Sequence, residues 1–328
     1  MEKYVPPYGV TEEMLSLTAE IMELLGELKG ISDIEKLPRL RRVNQIKSIH
    51  SSLAIENNTL TLKQVTDVID GKRVLGPEDD ILAVKNAYEA YKCIDDFNPY
   101  SITDLTKAHG IMMKGLVEEA GKIRTTSVGV IDQNGNVIHV APPAQMVKGL
   151  ISQLFDWART SKTPMLIKSS IFHYELEFIH PFLDGNGRMG RLWQTSMLKE
   201  WKPIFKWIPI ESIIKDNQTK YYEAISISTS QGKSDYFITF MLKIIKSAVE
   251  GMLKDSKIHY THEYNHVAEL LAVIETYPLS LQELMKRVGL KSRETFRKNY
   301  LQPALKSGLI AMTNPDVPKC RNQKYYKT

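Results

Sequence analysis

Apolar residues recur at three- and four-residue steps along most of the chain, which predicts a mainly helical protein. TEEMLSLTAEIMELLGEL places Met14, Leu15, Leu17, Ile21, Met22, Leu24 and Leu25 on one broad face, with Thr11 as N-cap and Gly30 as a stop. Leu40, Val43, Ile46, Ile49 and Leu53 continue the spacing, so Ser52 and Glu56 are expected on the end of a second helix. Segments 79–96, 101–117, 144–160 and 164–179 are helical by the same rule, and the last of them leads into His180. Before residue 300 a clear strand pattern occurs once. In TTSVGVIDQNGNVIHVAPP, alternating Val128 and Val130, then Val137, Ile138 and His139, flank Asn134-Gly135, a strong hairpin turn signal.

A polar stretch, KDSKIHYTHEYNH, then gives way to a different rhythm. Leu281 to Val288 and Ser292 to Leu305 have the proportions of a helix-turn-helix pair with Gly289 in the connection. Leu309 to Met312 and Lys324 to Tyr326 are short strands suited to a wing.

Composition changes this picture in one respect. The 328 residues, 43% hydrophobic and 25% charged, suit a large domain plus a smaller one, without repeats. The net charge of +5 is uneven, because residues 256–328 carry +6 and the remainder −1. Arg293, Arg297 and Lys298 on the second helix of the pair, with Lys319, Arg321 and Lys324 in the wing, form the footprint expected for a phosphate backbone, so DNA or a protein partner is expected there. No secretory signal or apolar run of spanning length is visible, and Cys93 and Cys320 are widely separated; a cytoplasmic chain without membrane contact is expected.

Chemistry concentrates in residues 180–191, HPFLDGNGRMGR. Gly185 and Gly187 around Asn186 permit a backbone nest whose N–H groups converge on an anion, and a helix starting there adds its dipole. Arg188 and Arg191, three apart, project from one side and suit further phosphate oxygens, which points to a polyphosphate. Asp184 is a hard oxygen ligand placed for Mg²⁺ shared with phosphate. A histidine titrates near neutrality, and His180 is placed to activate a hydroxyl, while Pro181 and Phe182 anchor the loop.

This dodecapeptide resembles the Fic-domain signature H-x-F-x-D/E-G-N-G-R-x-x-R at every specified position. The resemblance implies a mainly α fold: a Fic-type helical bundle with a β-hairpin flap, and an appended C-terminal winged helix-turn-helix domain. It implies that His180 deprotonates a Tyr, Thr or Ser hydroxyl of a target protein, which attacks the ATP α-phosphate. It also implies that Asp184 holds Mg²⁺ and that Gly185, Asn186, Gly187, Arg188, Met189, Gly190 and Arg191 cradle ATP. Ser52-Leu53-Ala54-Ile55-Glu56-Asn57 is similar to the family's inhibitory motif S/T-x-x-x-E-G/N, so Glu56 is expected to pair with Arg191 where the γ-phosphate would bind. Gly121-Lys122-Ile123-Arg124 and the hairpin resemble the flap that docks the target, here through Val128, Val130, Val137, Ile138 and His139. TKYYEAI resembles the segment lining the nucleotide pocket, with Tyr222 the preferred contact and Tyr221 the alternate.

The expected layout is an N-terminal helical region over 1–100 with its inhibitory helix at about 40–57, a catalytic core over 101–250 and a winged helix over 262–328. Self-modification and a homodimer are further expectations. Alternatives at this stage are a nucleotide-sensing DNA-binding regulator, removal of AMP, or transfer from another nucleotide. His259, His262 and His266 read as a solvated linker, His173 as a hydrogen-bonded core residue, and His109 as lacking a motif.

Overall fold

The computed structural model describes residues 4–31, 38–131, 137–318 and 320–328. The chain divides into two compact units, Met1–Met252 and Leu253–Thr328. The first unit contains α1 (Glu12–Ile31), α2 (Pro38–Ile55), α3 (Leu62–Ile69), α4 (Glu78–Lys92) and α5 (Ile102–Met112). The flap strands β1 (Gly129–Ile131) and β2 (Val137–Val140) follow, then α6 (Ala144–Thr160), α7 (Met165–Ile179), α8 (Asn186–Trp201), α9 (Ile210–Asp216) and α10 (Gln218–Gln231). The unit boundary falls within α11 (Asp235–Val273).

The centre of the first unit is the pair α7 and α8, joined by the 180–185 loop. α7 is buried on nearly every side, down to Ser169, Ser170, His173, Glu175 and Glu177. That is why its sequence shows so little amphipathic contrast: a helix enclosed all round has no solvent face to mark with polar residues. α8 is similarly enclosed from Asn186 to Leu198.

Thr11 caps α1 through the Met14 amide at 3.2 Å. Met14, Leu17, Ile21, Leu25 and Leu28 are buried, but Leu15 and Met22 point to solvent. The buried stripe is therefore narrower than the apolar pattern suggests. Val43 of α2 is likewise exposed, while Leu40, Ile46, Ile49 and Leu53 enter the core. In their place α2 buries Asn44, Ser48, Ser51 and Ser52, which carry hydrogen bonds a hydropathy pattern does not register.

The polar stretch at 254–266 is not a linker, because it continues the helix α11. His266, on that helix, lies against Tyr300 with ring centroids 4.3 Å apart; the side chains of His259 and His262 lie outside the described residues. The second unit adds β3 (Leu279–Ser280), α12 (Leu281–Val288), α13 (Arg293–Phe296), a π-helical turn at Arg297–Leu301, α14 (Gln302–Lys306), β4 (Ile310–Met312) and β5 (Lys324–Lys327). Gly289 closes α12 at φ 80°, a left-handed conformation that glycine adopts without strain. The sheet order is β3-β5-β4, all antiparallel. β3 has only two residues, too few to show an alternation. Leu270, Leu284, Phe296, Leu301 and Ile310 build this unit's own core.

Candidate active site

α7 ends at His180, whose φ of 50° places a non-glycine residue in the left-handed region. Such a conformation is costly and persists only where its surroundings over-determine it. Here they do. Arg124 is 1% exposed and spends its guanidinium on backbone carbonyls: His180 at 2.6 Å, Thr126 at 2.8 Å, and Pro142 at 2.6 Å with Ile179 at 3.3 Å. Its own amide donates to Pro181 O at 2.9 Å. One side chain thus ties the approaches to both flap strands to the loop carrying the histidine. His180 Nδ1 lies 3.3 Å from Glu177 O, a contact that selects the tautomer with the proton on Nδ1 and the lone pair on Nε2.

His109 secures the next part of the loop. The Gly121 amide donates to its Nδ1 at 2.8 Å, so Nε2 carries the proton and donates to Asp184 O at 2.9 Å. Its ring stacks on Phe182 with centroids 3.7 Å apart. Burial pushes its pKa down to about 4, so it remains the neutral residue these bonds require. Asn186 closes the turn, its amide bonding both Phe182 N and Phe182 O at 2.9 Å. The Asn186 side chain is therefore occupied within the loop, leaving its backbone for a ligand.

Gly185, at φ 82°, precedes α8 without a side-chain cap, so the first amides of that helix face outward as an anion site. A Cβ at Gly187 would run into the Glu56 carboxylate, which locates Glu56 directly over this helix start. Arg188 pairs with Asp184 at 3.3 Å, and Asp184 Oδ1 also accepts from the Gly185 amide at 2.5 Å. Asp184 is exposed beside the pocket, a donor set that fits Mg²⁺: one protein carboxylate, with the remaining positions left for phosphate and water. Among the described residues no cluster of three or more His, Cys, Asp or Glu could hold a metal without a ligand's help.

Glu56 is the first residue past the end of α2. Its Oε1 lies 2.7 Å from Arg191 NH2, which also donates to Ser52 O at 3.0 Å, while Arg191 Nε donates to Ser52 Oγ at 3.0 Å. The Arg191 side chain is 1% exposed. Burial alone would lower its pKa, but Glu56 and the neighbouring Tyr221 and Glu177 raise it further than burial depresses it. Asn57, at φ 65°, turns the chain away. A pocket of about 200 Å³ opens beside this pair, lined in part by Glu56, Asp79, Asp80, Asp184 and Arg188.

The two adjacent tyrosines of α10 separate cleanly. Tyr221 is buried, its hydroxyl 3.0 Å from His173 Nε2, while His173 Nδ1 meets Gln194 at 2.7 Å. Tyr222 is half-buried; burial and the nearby Glu56 charge push its pKa up to about 12. Gln218, one turn earlier, bonds Tyr222 and donates to Ile55 O at 3.0 Å.

In the flap, Val130 pairs with His139 and Ile131 with Val137 across a register shift, so strict alternation does not hold. Val128 precedes the strand, and the Asn134-Gly135 turn lies outside the described residues. In the second unit Arg293, Arg297, Lys298, Arg321 and Lys324 are exposed; Lys319 lies outside the described residues. Arg124 and His109 are the supports that sequence reasoning left without a role. Apart from Thr126 O, their hydrogen-bond partners are main-chain atoms 12 to 75 positions away, which no local pattern records.

A helical bundle whose central loop–helix junction joins a strained histidine, an open anion site and a buried arginine defines the class. The Fic/DOC family profile matches residues 99–198, and that of the Filamentation induced by cAMP protein Fic-like C-terminal domain matches residues 265–328. A Fic family protein of known structure from Desulfovibrio desulfuricans G20 is 45% identical, covers 99% of this chain and 98% of its own, and superposes with a TM-score of 0.74. The chain belongs to the Fic family. It is 27% identical to Protein adenylyltransferase Fic of Nematostella vectensis, over 76% of this chain and 57% of that protein. It is 25% identical to Protein adenylyltransferase fic-1 of Caenorhabditis briggsae, over 72% and 47%. The chain thus spans about half the length of these curated relatives. Among the described residues no helix is long and apolar enough to cross a membrane.

Proposed function

We propose that this chain is a protein adenylyltransferase restrained by its own Glu56. The observation that carries the reading is the Glu56–Arg191 pair at 2.7 Å, set over the open N-terminus of α8. A tethered carboxylate and the terminal phosphate of ATP compete for one guanidinium, and the tether gives the carboxylate a high effective concentration.

With Glu56 displaced, ATP lies with its α- and β-phosphates on the amides of 186–188 and on Arg188, its γ-phosphate on Arg191, and its base toward Tyr222. Asp184 holds Mg²⁺, which when bound neutralises charge on the phosphate oxygens. The flap aligns a target segment, and His180 Nε2 takes the proton of its Tyr, Thr or Ser hydroxyl. The hydroxyl oxygen bonds to the α-phosphorus as the bond to the bridging oxygen breaks, and pyrophosphate departs. General-base help of this kind contributes about 10²–10⁴-fold.

Incubation with ATP labelled on its α-phosphate tests this. Label is expected on protein, more in Glu56→Gly and none in His180→Ala. Labelled GTP or CTP in parallel reads base choice through Tyr222, and release of AMP from pre-labelled protein reads the reverse reaction. ATP binding without transfer in Glu56→Gly would leave a nucleotide sensor and overturn the transferase.

A second reading concerns the C-terminal unit. Arg293, Arg297 and Lys298 on the second helix and Arg321 and Lys324 by the wing are all exposed cations, a set suited to duplex DNA. A gel shift whose affinity falls steeply with salt, less so in Arg293→Ala with Arg297→Ala, is expected; salt-independent binding would count against it.

A further inference from the structure

Arg191 has a second carboxylate behind it. Glu211, at the start of α9, is 1% exposed and takes three hydroxyl donors: Ser48 at 2.7 Å, Tyr91 at 2.7 Å and Thr195 at 3.3 Å. Hydroxyls alone are a poor setting for a buried carboxylate, whose desolvation calls for a compensating positive charge. The line of bonds leads to one. The Tyr91 hydroxyl also meets the side chain of Ser52, and Ser52 Oγ accepts from Arg191 Nε at 3.0 Å. The bonds at the two ends run the same way, Arg191 Nε donating to Ser52 and the Tyr91 hydroxyl to Glu211, with the Ser52 and Tyr91 side chains adjacent between them.

Helix geometry accounts for the assembly. Ser48 and Ser52 stand one turn apart on α2, and Arg191 and Thr195 one turn apart on α8. Each helix therefore sends one residue to Glu211 and one to the guanidinium end, with Tyr91 of α4 spanning the gap. The Glu56 contact uses NH2, the nitrogen that also donates to Ser52 O, next to the Nε that donates to Ser52 Oγ.

We propose that Tyr91 and Glu211 are positioning residues for Arg191. Acting through Ser52, they hold the guanidinium in one pose, whichever anion binds its NH2. Glu56 and the γ-phosphate then exchange on a fixed arginine. The inference rests on the reading of Arg191 as a phosphate ligand.

Calorimetric titration with ATP and Mg²⁺ tests it in four proteins: wild type, Glu56→Gly, and each with Tyr91→Phe. Glu56→Gly is expected to tighten ATP. Adding Tyr91→Phe should then weaken ATP about fivefold, the size of one buried hydrogen bond, and raise KM for ATP with kcat changed less. Glu211→Gln in the Glu56→Gly background should act in the same direction, and combining it with Tyr91→Phe should cost less than the two effects multiplied, since they interrupt one series. If Tyr91 merely docks α2, Tyr91→Phe would instead raise self-labelling while Glu56 is present and leave ATP affinity in the Glu56→Gly background untouched, overturning the proposal. Full multiplicativity of the two substitutions would also overturn it. No tightening in Glu56→Gly would defeat the reading of Arg191 itself, a result distinct from a tightening that Tyr91→Phe fails to reduce.

Discussion

The loop that carries His180 and the helix end that carries Glu56 converge on one anion site but are secured in opposite ways. The loop is fastened by buried groups: Arg124 on four carbonyls, His109 on Gly121 and Asp184, and Asn186 on Phe182. Glu56 sits past the last turn of α2 with its side chain 32% exposed, and the chain beyond it is held through Asn58 and Thr59 to Asp80 near the surface. Catalytic groups gain from rigidity because orientation is part of the rate. A restraint such as the one proposed for Glu56, which must come off, gains from the reverse, since segments with few buried contacts open at low cost.

The largest effect is expected where the loop's strongest fastening is removed. Arg124→Ala strands the carbonyls of Thr126, Pro142, Ile179 and His180, and should cost about 3–5 kcal/mol of stability in urea unfolding while abolishing labelling. A loss below about 1 kcal/mol would mean that the strained His180 conformation is supported elsewhere.

Glu175 lies two residues before Glu177 on the helix that delivers the loop. Burial raises its pKa to about 7, against the pull of Tyr4, whose hydroxyl donates at 2.7 Å. A folded-state pKa above the unfolded value of about 4.5 means that its protonated form is favoured by folding. That contribution is complete below pH 4.5 and fades as pH rises through 7. Glu175→Gln is therefore expected to stabilise the protein at pH 8 by up to about 2–3 kcal/mol and to change little at pH 4.5. Equal effects at both pH values would show that the carboxyl titrates as an ordinary one.

His109→Phe keeps the ring against Phe182 but deletes both hydrogen bonds, at about 2 kcal/mol. It sharpens the comparison because it loosens the loop without touching Glu56: labelling should fall in the Glu56→Gly background as much as in wild type. A loss confined to wild type would transfer His109 to the inhibitory side.

How much of this was legible in the sequence follows the same divide. HPFLDGNGRMGR singled out the loop's candidate chemistry, because nests, dipoles and paired arginines depend on neighbours within one or two turns. The segments 144–160 and 164–179 likewise gave α6 and α7 to within a residue, since helix periodicity is local. The fastenings were not legible. Tyr91, Arg124 and Glu211 sit in segments that read as ordinary helix or strand flank, and their partners lie 16 to 163 positions away or on the main chain. The polar stretch near residue 260 misled in another way: its charged composition suggested a linker, whereas a helix can be polar over several turns and still continue.

The smallest effect is expected at the turn behind Glu56, where the restraint can be eased without altering the acid. Asp80 Oδ2 accepts from Thr59 N at 2.9 Å and Thr59 Oγ1 at 2.6 Å, while Asn58 donates to Asp80 O at 3.1 Å. Asp80→Ala breaks the first two bonds but also removes a negative charge from the pocket, so a gain in labelling there has two sources. Thr59→Val separates them, since it deletes one exposed bond worth about 0.5–1 kcal/mol and leaves the charge in place. If Glu56 is held weakly from behind, Thr59→Val should raise self-labelling two- to fivefold in wild type and not at all in Glu56→Gly. A rise in Asp80→Ala without one in Thr59→Val would assign the effect to pocket charge, and the Glu56 turn would then be restrained by Asn57 and Arg191 rather than by its outer hydrogen bonds.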